Sequence, residues 1–167
     1  QGFSGIDYVS VTGNKIKDTL IEAGLEEKGT QISVVGNPAY DGFLSYAGKF
    51  TGRKKTAFKA SLNLPTHEEM FALFLSPSCF SDTQIKEITL VIESVLIHNP
   101  NASICIKFHP KTESKFINIF DILVSKKTSN YKLISGYTGD FVNLDIILSS
   151  RCILQKQSTV GFIAMLV

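Results

Sequence analysis

The 167-residue sequence predicts an α/β fold, a parallel sheet with helices on both of its faces. Three observations carry this expectation. Short β-rich runs alternate with helical periodicities along almost the whole chain. Some of the runs, "EMFALFLSP" at 69–77 above all, are apolar without alternation, as strands covered on both faces must be. The segments between successive runs are long enough for a crossover helix, which parallel strands need and hairpins do not.

Taken in order, "DYVSVTG" (7–13) is the first β-rich run. Ile16, Leu20 and Ala23 fall at helical spacing and predict a helix over 14–24, with Asn14 as its N-cap and Gly24 as its stop. "QISVVGNPAYD" (31–41) predicts a strand that ends in a Gly36-Asn37-Pro38 turn. Together these make a βαβ unit. Residues 42–66 change character: Gly42, Gly48 and Gly52 are interspersed with Lys49, Arg53, Lys54, Lys55 and Lys59, a linker followed by a basic helix. The apolar run at 69–77 then opens a second α/β stretch, 67–167.

In that second stretch, Ser81-x-x-Gln84 predicts a capping box at the head of a helix over 81–100. Ile85, Ile88, Ile92, Val95 and Leu96 form its apolar face, and Asn99-Pro100 ends it. "ASICIKF" (102–108) is the next strand. Phe116, Ile119, Phe120 and Leu123 predict a helix over 112–127, whose terminal lysines suit the helix dipole. "YKLIS" (131–135) is a strand, "NLDIILSS" (143–150) a short helix and "CILQK" (152–156) a strand. Ser158 and Thr159 stand where the following helix should begin.

Composition narrows the function classes. A hydrophobic fraction of 44% with 19% charged residues is globular rather than disordered. The net charge of +2 supplies no bulk basic field for nucleic acid, and no nucleic-acid partner is expected. Cys79, Cys105 and Cys152 are far apart and odd in number, which argues against a disulfide framework and for a reducing, cytoplasmic compartment. No apolar run reaches the roughly 18 residues of a membrane span, and the N-terminus carries no signal-peptide pattern. Gln1 and the broken helical pattern of "STVGFIAMLV" read as cut ends, so a piece of a longer protein is expected. The Cys and His residues show no metal-ligand spacing, and no metal is predicted. Phosphate-loop, dinucleotide-loop and nucleophile-elbow signatures are all missing from the sequence.

Ligands of open α/β sheets bind beyond the carboxyl ends of the strands. That rule selects Ser76-Pro77-Ser78, His109-Pro110-Lys111, Ser135-Gly136-Tyr137 and Gln157-Ser158-Thr159. Ser158 and Thr159 precede a helix start, where unpaired backbone N–H groups attract phosphate; an ordinary N-cap uses the same residues. His109 offers an imidazole N–H to an anion, Pro110 fixes the backbone beside it, and Lys111 adds a cation to the same turn. The bland alternative is a solvated histidine at a strand end. Alternation points Lys107 to the face opposite Ile106 and assigns it no role. His67 and His98 read as structural or exposed. The basic run 49–59 reads as a solvated helix face, with contact to an anionic membrane surface as the lesser reading.

"VVGNPAYD" (34–41), "IKFHPK" (106–111) and "LQKQSTVGFIAML" (154–166) together resemble the C-terminal half of bacterial GT-B glycosyltransferases. The likeness is to enzymes of surface-polysaccharide and lipopolysaccharide synthesis, among them bacterial sialyltransferases, capsule Kdo transferases and teichoic-acid glycerophosphotransferases. It covers nearly the whole chain in element order. It implies two Rossmann-like domains, with 1–41 closing the first and 67–167 forming most of the donor-binding second, across a turn at Gly36, Asn37 and Pro38. It implies transfer of a sugar from a CMP- or UDP-activated donor to a glycan or lipid-linked glycan acceptor, at the inner face of the cell membrane, without metal or cofactor. His109-Pro110 is similar to the donor-phosphate motif of the sialyltransferases, with His109 in the catalytic role and Lys111, Ser76 and Gly136 lining the same edge. Ser158-Thr159 is similar to that group's second phosphate contact. The family's general base would lie in the N-terminal domain. One departure stands out: relatives often carry a glutamate where this chain has Ile163. The UDP-GlcNAc 2-epimerases share the fold, but their His-Arg-Arg-Glu-Asn stretch is replaced here by "SPSCFSD", and their Ser-Gly-Gly by Ser158-Thr159-Val160. A non-catalytic nucleotide-binding or interaction domain is the other alternative.

Overall fold

The computed structural model describes residues 6–36, 40–77, 80–136, 140–156 and 163–165. It divides into two compact units, Gln1–Ser45 and Tyr46–Val167. In the first, β1 (Tyr8–Val11) pairs in parallel with β2 (Gln31–Val34), and α1 (Asn14–Glu22) makes the crossover. Val11, Leu25 and Ile32 form its small core, with Val9 and Leu20 against them. The N-cap of α1 is Gly13, with no side-chain cap; Asn14 is already helical. The extended backbone of Gly13 presents its carbonyl to Lys17 N–H at 3.2 Å, so the helix starts one residue before the Asn14 side chain could cap it. Gly24 does end this segment, at φ +77°, a conformation glycine adopts without cost.

The stretch expected to be a linker is helical over Asp41–Gly48, and the basic helix expected after it forms over Gly52–Ser61. α2 (Asp41–Gly48) contains Gly42, and α3 (Gly52–Ser61) begins at Thr51, whose side chain accepts the Lys54 N–H.

The second unit holds a four-stranded sheet in the order β5-β4-β3-β6. Its strands are β3 (Met70–Leu75), β4 (Ser103–Phe108), β5 (Tyr131–Ile134) and β6 (Cys152–Lys156), and every pairing is parallel. All six residues of β3 and all six of β4 are buried, as the unbroken apolar runs require. α4 (Asp82–His98) and α5 (Ser114–Ser125) cover one face: Ile88, Ile92, Phe120 and Val124 pack on Phe71, Leu73, Ile104 and Ile106. On the other face, Phe58 and Leu62 from the α3 end and Ile146 and Ile147 of α6 (Asp140–Ser149) pack on Met70, Ala72, Phe74 and Cys105. The fold is therefore Rossmann-like, a parallel sheet with helices on both faces. The chain steps from β3 to β4 to β5 in one direction, then returns to place β6 on the far side of β3. The gap between the carboxyl ends of β3 and β6 is thus the topological switch point.

Two details of the helices follow local chemistry. The Ser81 box forms as its spacing predicts: the side chain accepts the Gln84 N–H, and the Gln84 side chain accepts the Ser81 N–H. Lys126 and Lys127, expected in the last turn of α5, lie just beyond it; Lys126 is the C-cap and Lys127 pairs with Glu93 of α4.

An aromatic cluster anchors the end of β4. Phe80 stacks on Phe116 with centroids 4.6 Å apart, and Phe108 meets Phe120 edge-on at 5.7 Å. Phe108 is fully buried and immediately precedes His109. Truncating Phe108 to alanine should lower stability in urea unfolding by about 3–5 kcal/mol, with Phe108→Leu costing clearly less.

The Tyr46 hydroxyl donates to Asp145 Oδ1 of α6 at 2.6 Å, and the Lys54 ammonium lies 5.1 Å from the Tyr46 ring centroid. The bond to Asp145, then burial, raise the Tyr46 pKa from 10.0 to about 12. A group with its folded pKa raised gives its full contribution below the unfolded value and loses it as pH climbs through the folded one. Stability should therefore fall between pH 10 and 12 more steeply in the parent protein than in Tyr46→Phe, as read by chemical unfolding across that range.

Candidate functional site at the carboxyl edge

The sheet register sets what reaches its carboxyl edge. Ile134, Lys107, Phe74 and Gln155 lie side by side across the four strands in the last complete row. Beyond this row come Phe108 paired with Leu75, and Leu75 paired with Lys156. β3 continues into Ser76, which is buried and has partners of its own. β4 continues into His109, whose N–H still donates to Leu75 O at 3.0 Å, extending the ladder by one rung.

The chain then folds back sharply. Thr112 N–H donates to His109 O at 2.9 Å, closing a β-turn with Pro110 at its second position, where the fixed proline φ is pre-set for the bend. Inside the turn, Lys111 N–H donates to His109 Nδ1 at 3.1 Å. The ring therefore accepts at Nδ1, and Nε2 carries the proton of the neutral imidazole. His109 is exposed, so an N–H donor is held facing solvent at the carboxyl edge, one strand from the switch point. Pro110 shapes the turn, and Lys111 contributes its backbone N–H to orienting the ring while its side chain is exposed.

Lys107 is the residue that sequence reasoning left without a role. It is only 6% exposed. Its ammonium donates to Phe108 O at 2.9 Å and to Gly136 O at 3.0 Å. Burial among apolar neighbours lowers its pKa. The signal was in "ICIKF": in a strand apolar on both faces, the single charged residue has to be buried. Gly136 has φ +78°, and this left-handed turn after β5 accompanies the presentation of its carbonyl to the ammonium. No atom lies within 4 Å of where a Cβ would stand, so any substitution cost there is conformational rather than steric.

The structure thus brings His109, Pro110, Lys111 and Gly136 to one edge, with Ser76 at the end of the adjoining strand. Ser158, Thr159, Asn37 and Pro38 lie outside the described residues; the strand leading to Ser158 and Thr159 ends with Lys156 paired to Leu75. Gly36 is described and has φ +74°. Ile163, where the resembled family often has glutamate, packs against the apolar core on the α3 and α6 face. His67 is exposed beside Glu68 at 3.2 Å, and His98 Nδ1 bonds Ser94 O at 2.8 Å within its own helix. Cys105 is fully buried, and burial pushes its thiol up to about 12, which removes it as a nucleophile. Among the described residues no cluster of His, Cys, Asp and Glu could hold a metal, and no helix is long and apolar enough to cross a membrane.

Compared with known proteins, the chain matches no family model, and no curated protein is significantly similar to it.

The His109 turn makes a spectroscopic prediction. Long-range ¹H–¹⁵N spectra in mildly alkaline buffer should show His109 as the Nε2–H tautomer, with an unprotonated Nδ1. A predominant Nδ1–H form would mean that the Lys111 bond does not hold the ring.

Proposed function

We propose that this chain supplies the donor-binding domain of a GT-B-type glycosyltransferase, with the phosphate of a nucleotide-activated sugar bound at the carboxyl edge of the sheet. The observation that carries this reading is the His109 turn. A backbone N–H locks the ring so that its Nε2–H faces outward beside the switch point of a Rossmann-like sheet. A preorganised N–H donor in that position stabilises negative charge developing on a departing phosphate. The sequence likeness of "IKFHPK" and "LQKQSTVGFIAML" to bacterial sialyltransferases and capsule Kdo transferases supports the same reaction: a sugar leaves CMP or UDP for a surface glycan acceptor.

One observation favours a second reading, a domain that binds a nucleotide without turning it over. Ile163 is committed to the core, so the polar contact expected from a glutamate at that position is lost. Calorimetric titration of the protein with CMP, CDP and UDP separates these readings from a pure interaction module, which should bind none of them. A glycosyltransferase should also lose roughly 10²–10³ in turnover on His109→Ala while remaining folded. Nucleotide binding with no turnover by the parent protein would select the second reading.

A further inference from the structure

Among the described residues of the second unit two lysines are buried, Lys59 and Lys107. Lys59 is 2% exposed and donates to Thr66 O and Glu68 O at the start of the loop leading into β3. The carboxylates of Glu68 and Glu69 lie close enough to favour its charge. That ammonium closes a loop at the amino end of the sheet; burial and then Lys55 lower its pKa, and the two acidic neighbours offset this only in part.

Lys107 sits at the opposite end, and among the described residues no carboxylate pairs with it. Its row neighbours on the adjoining strands are Phe74 and Ile134, both in the apolar core. Among the described residues its hydrogen-bond partners are the carbonyls of Phe108 and Gly136, which use two of the three N–H donors. Among the described residues it makes no ion pair. A buried ammonium without a counter-charge costs stability, and an apolar side chain of similar length would serve a purely structural role better. The carbonyl of Phe108 belongs to the peptide that joins Phe108 to His109, so the cation lies directly under the turn that aims the imidazole.

We propose that Lys107 is the buried counter-charge for the phosphate of the ligand at this edge, acting with His109 from the strand side. This inference rests on the reading of the edge as a phosphate site, and it adds a residue and a recognition mode: a fixed positive charge that distinguishes a nucleotide from its nucleoside. A phosphate brings the negative charge that the described surroundings of this ammonium do not supply. Ligand binding thereby relieves the cost of an unbalanced ammonium, and phosphate recognition is built into the strand rather than left to surface lysines.

The test compares CMP and UMP with cytidine and uridine by calorimetry, on the parent protein, Lys107→Met and His109→Ala. The parent should bind a nucleotide more tightly than its nucleoside. Lys107→Met should lose roughly tenfold or more of the nucleotide affinity, the scale of one charge-assisted contact, and leave the nucleoside affinity unchanged. Nucleotide affinity untouched in Lys107→Met but reduced in His109→Ala overturns the role of Lys107 and leaves the phosphate site standing. A parent protein that does not prefer nucleotide to nucleoside overturns both. If Lys107→Met does not fold, ¹³C-labelled lysine in the parent protein gives the answer: the Lys107 Cε resonance should shift with CMP or UMP and stay still with the nucleosides. A stationary resonance with bound nucleotide overturns the proposal.

Discussion

Everything in the larger unit depends on burying both faces of β3 and β4. Twelve consecutive ladder positions, six on each strand, have no solvent on either side. Burial of this apolar surface is worth roughly 25 cal/mol per Å², and it is available only if helices cover both faces. Covering both faces fixes the parallel arrangement, because each crossover helix must return the chain to the same end of the sheet. It also forces every turn that leaves a strand at its carboxyl end onto one edge. The Ser76, His109 and Gly136 turns are neighbours for that reason and not because of any attraction among them.

The same constraint explains which parts of the architecture were readable from sequence. The run that became β3 is apolar at every position, and the bounds of β3, β4 and β6 are close to those expected. The Ser81–Gln84 box is a local device that needs no tertiary information, and it forms as its spacing requires. What could not be read was local structure that departs from intrinsic residue preference. Gly42 and Gly48 mark a linker by propensity, yet they lie in α2. Asn14 is a better N-cap than glycine on intrinsic grounds, yet Gly13 takes the position because its carbonyl meets Lys17.

The site was legible in a different proportion. His109 and Pro110 could be picked out because the carboxyl-end rule needs only strand ends. The orientation of the ring could not: it depends on one backbone N–H, that of Lys111, which no pattern of residue types announces. Lys107 was hidden by the habit of reading a lysine as solvated. Alternation alone gives its face, but only the knowledge that the face is covered turns that into burial. Ile163 shows the converse. It was legible as a departure from the pattern of the family that the sequence resembles, and the structure packs it against the core.

The hydrogen bond from Lys107 to Gly136 reaches a main-chain oxygen, not a side chain. A backbone acceptor survives replacement of the residues around it. The strand can therefore keep its cation while the sequence that follows Gly136 drifts. The cation and the residues that follow its acceptor are written in separate segments, so each can change without rewriting the other.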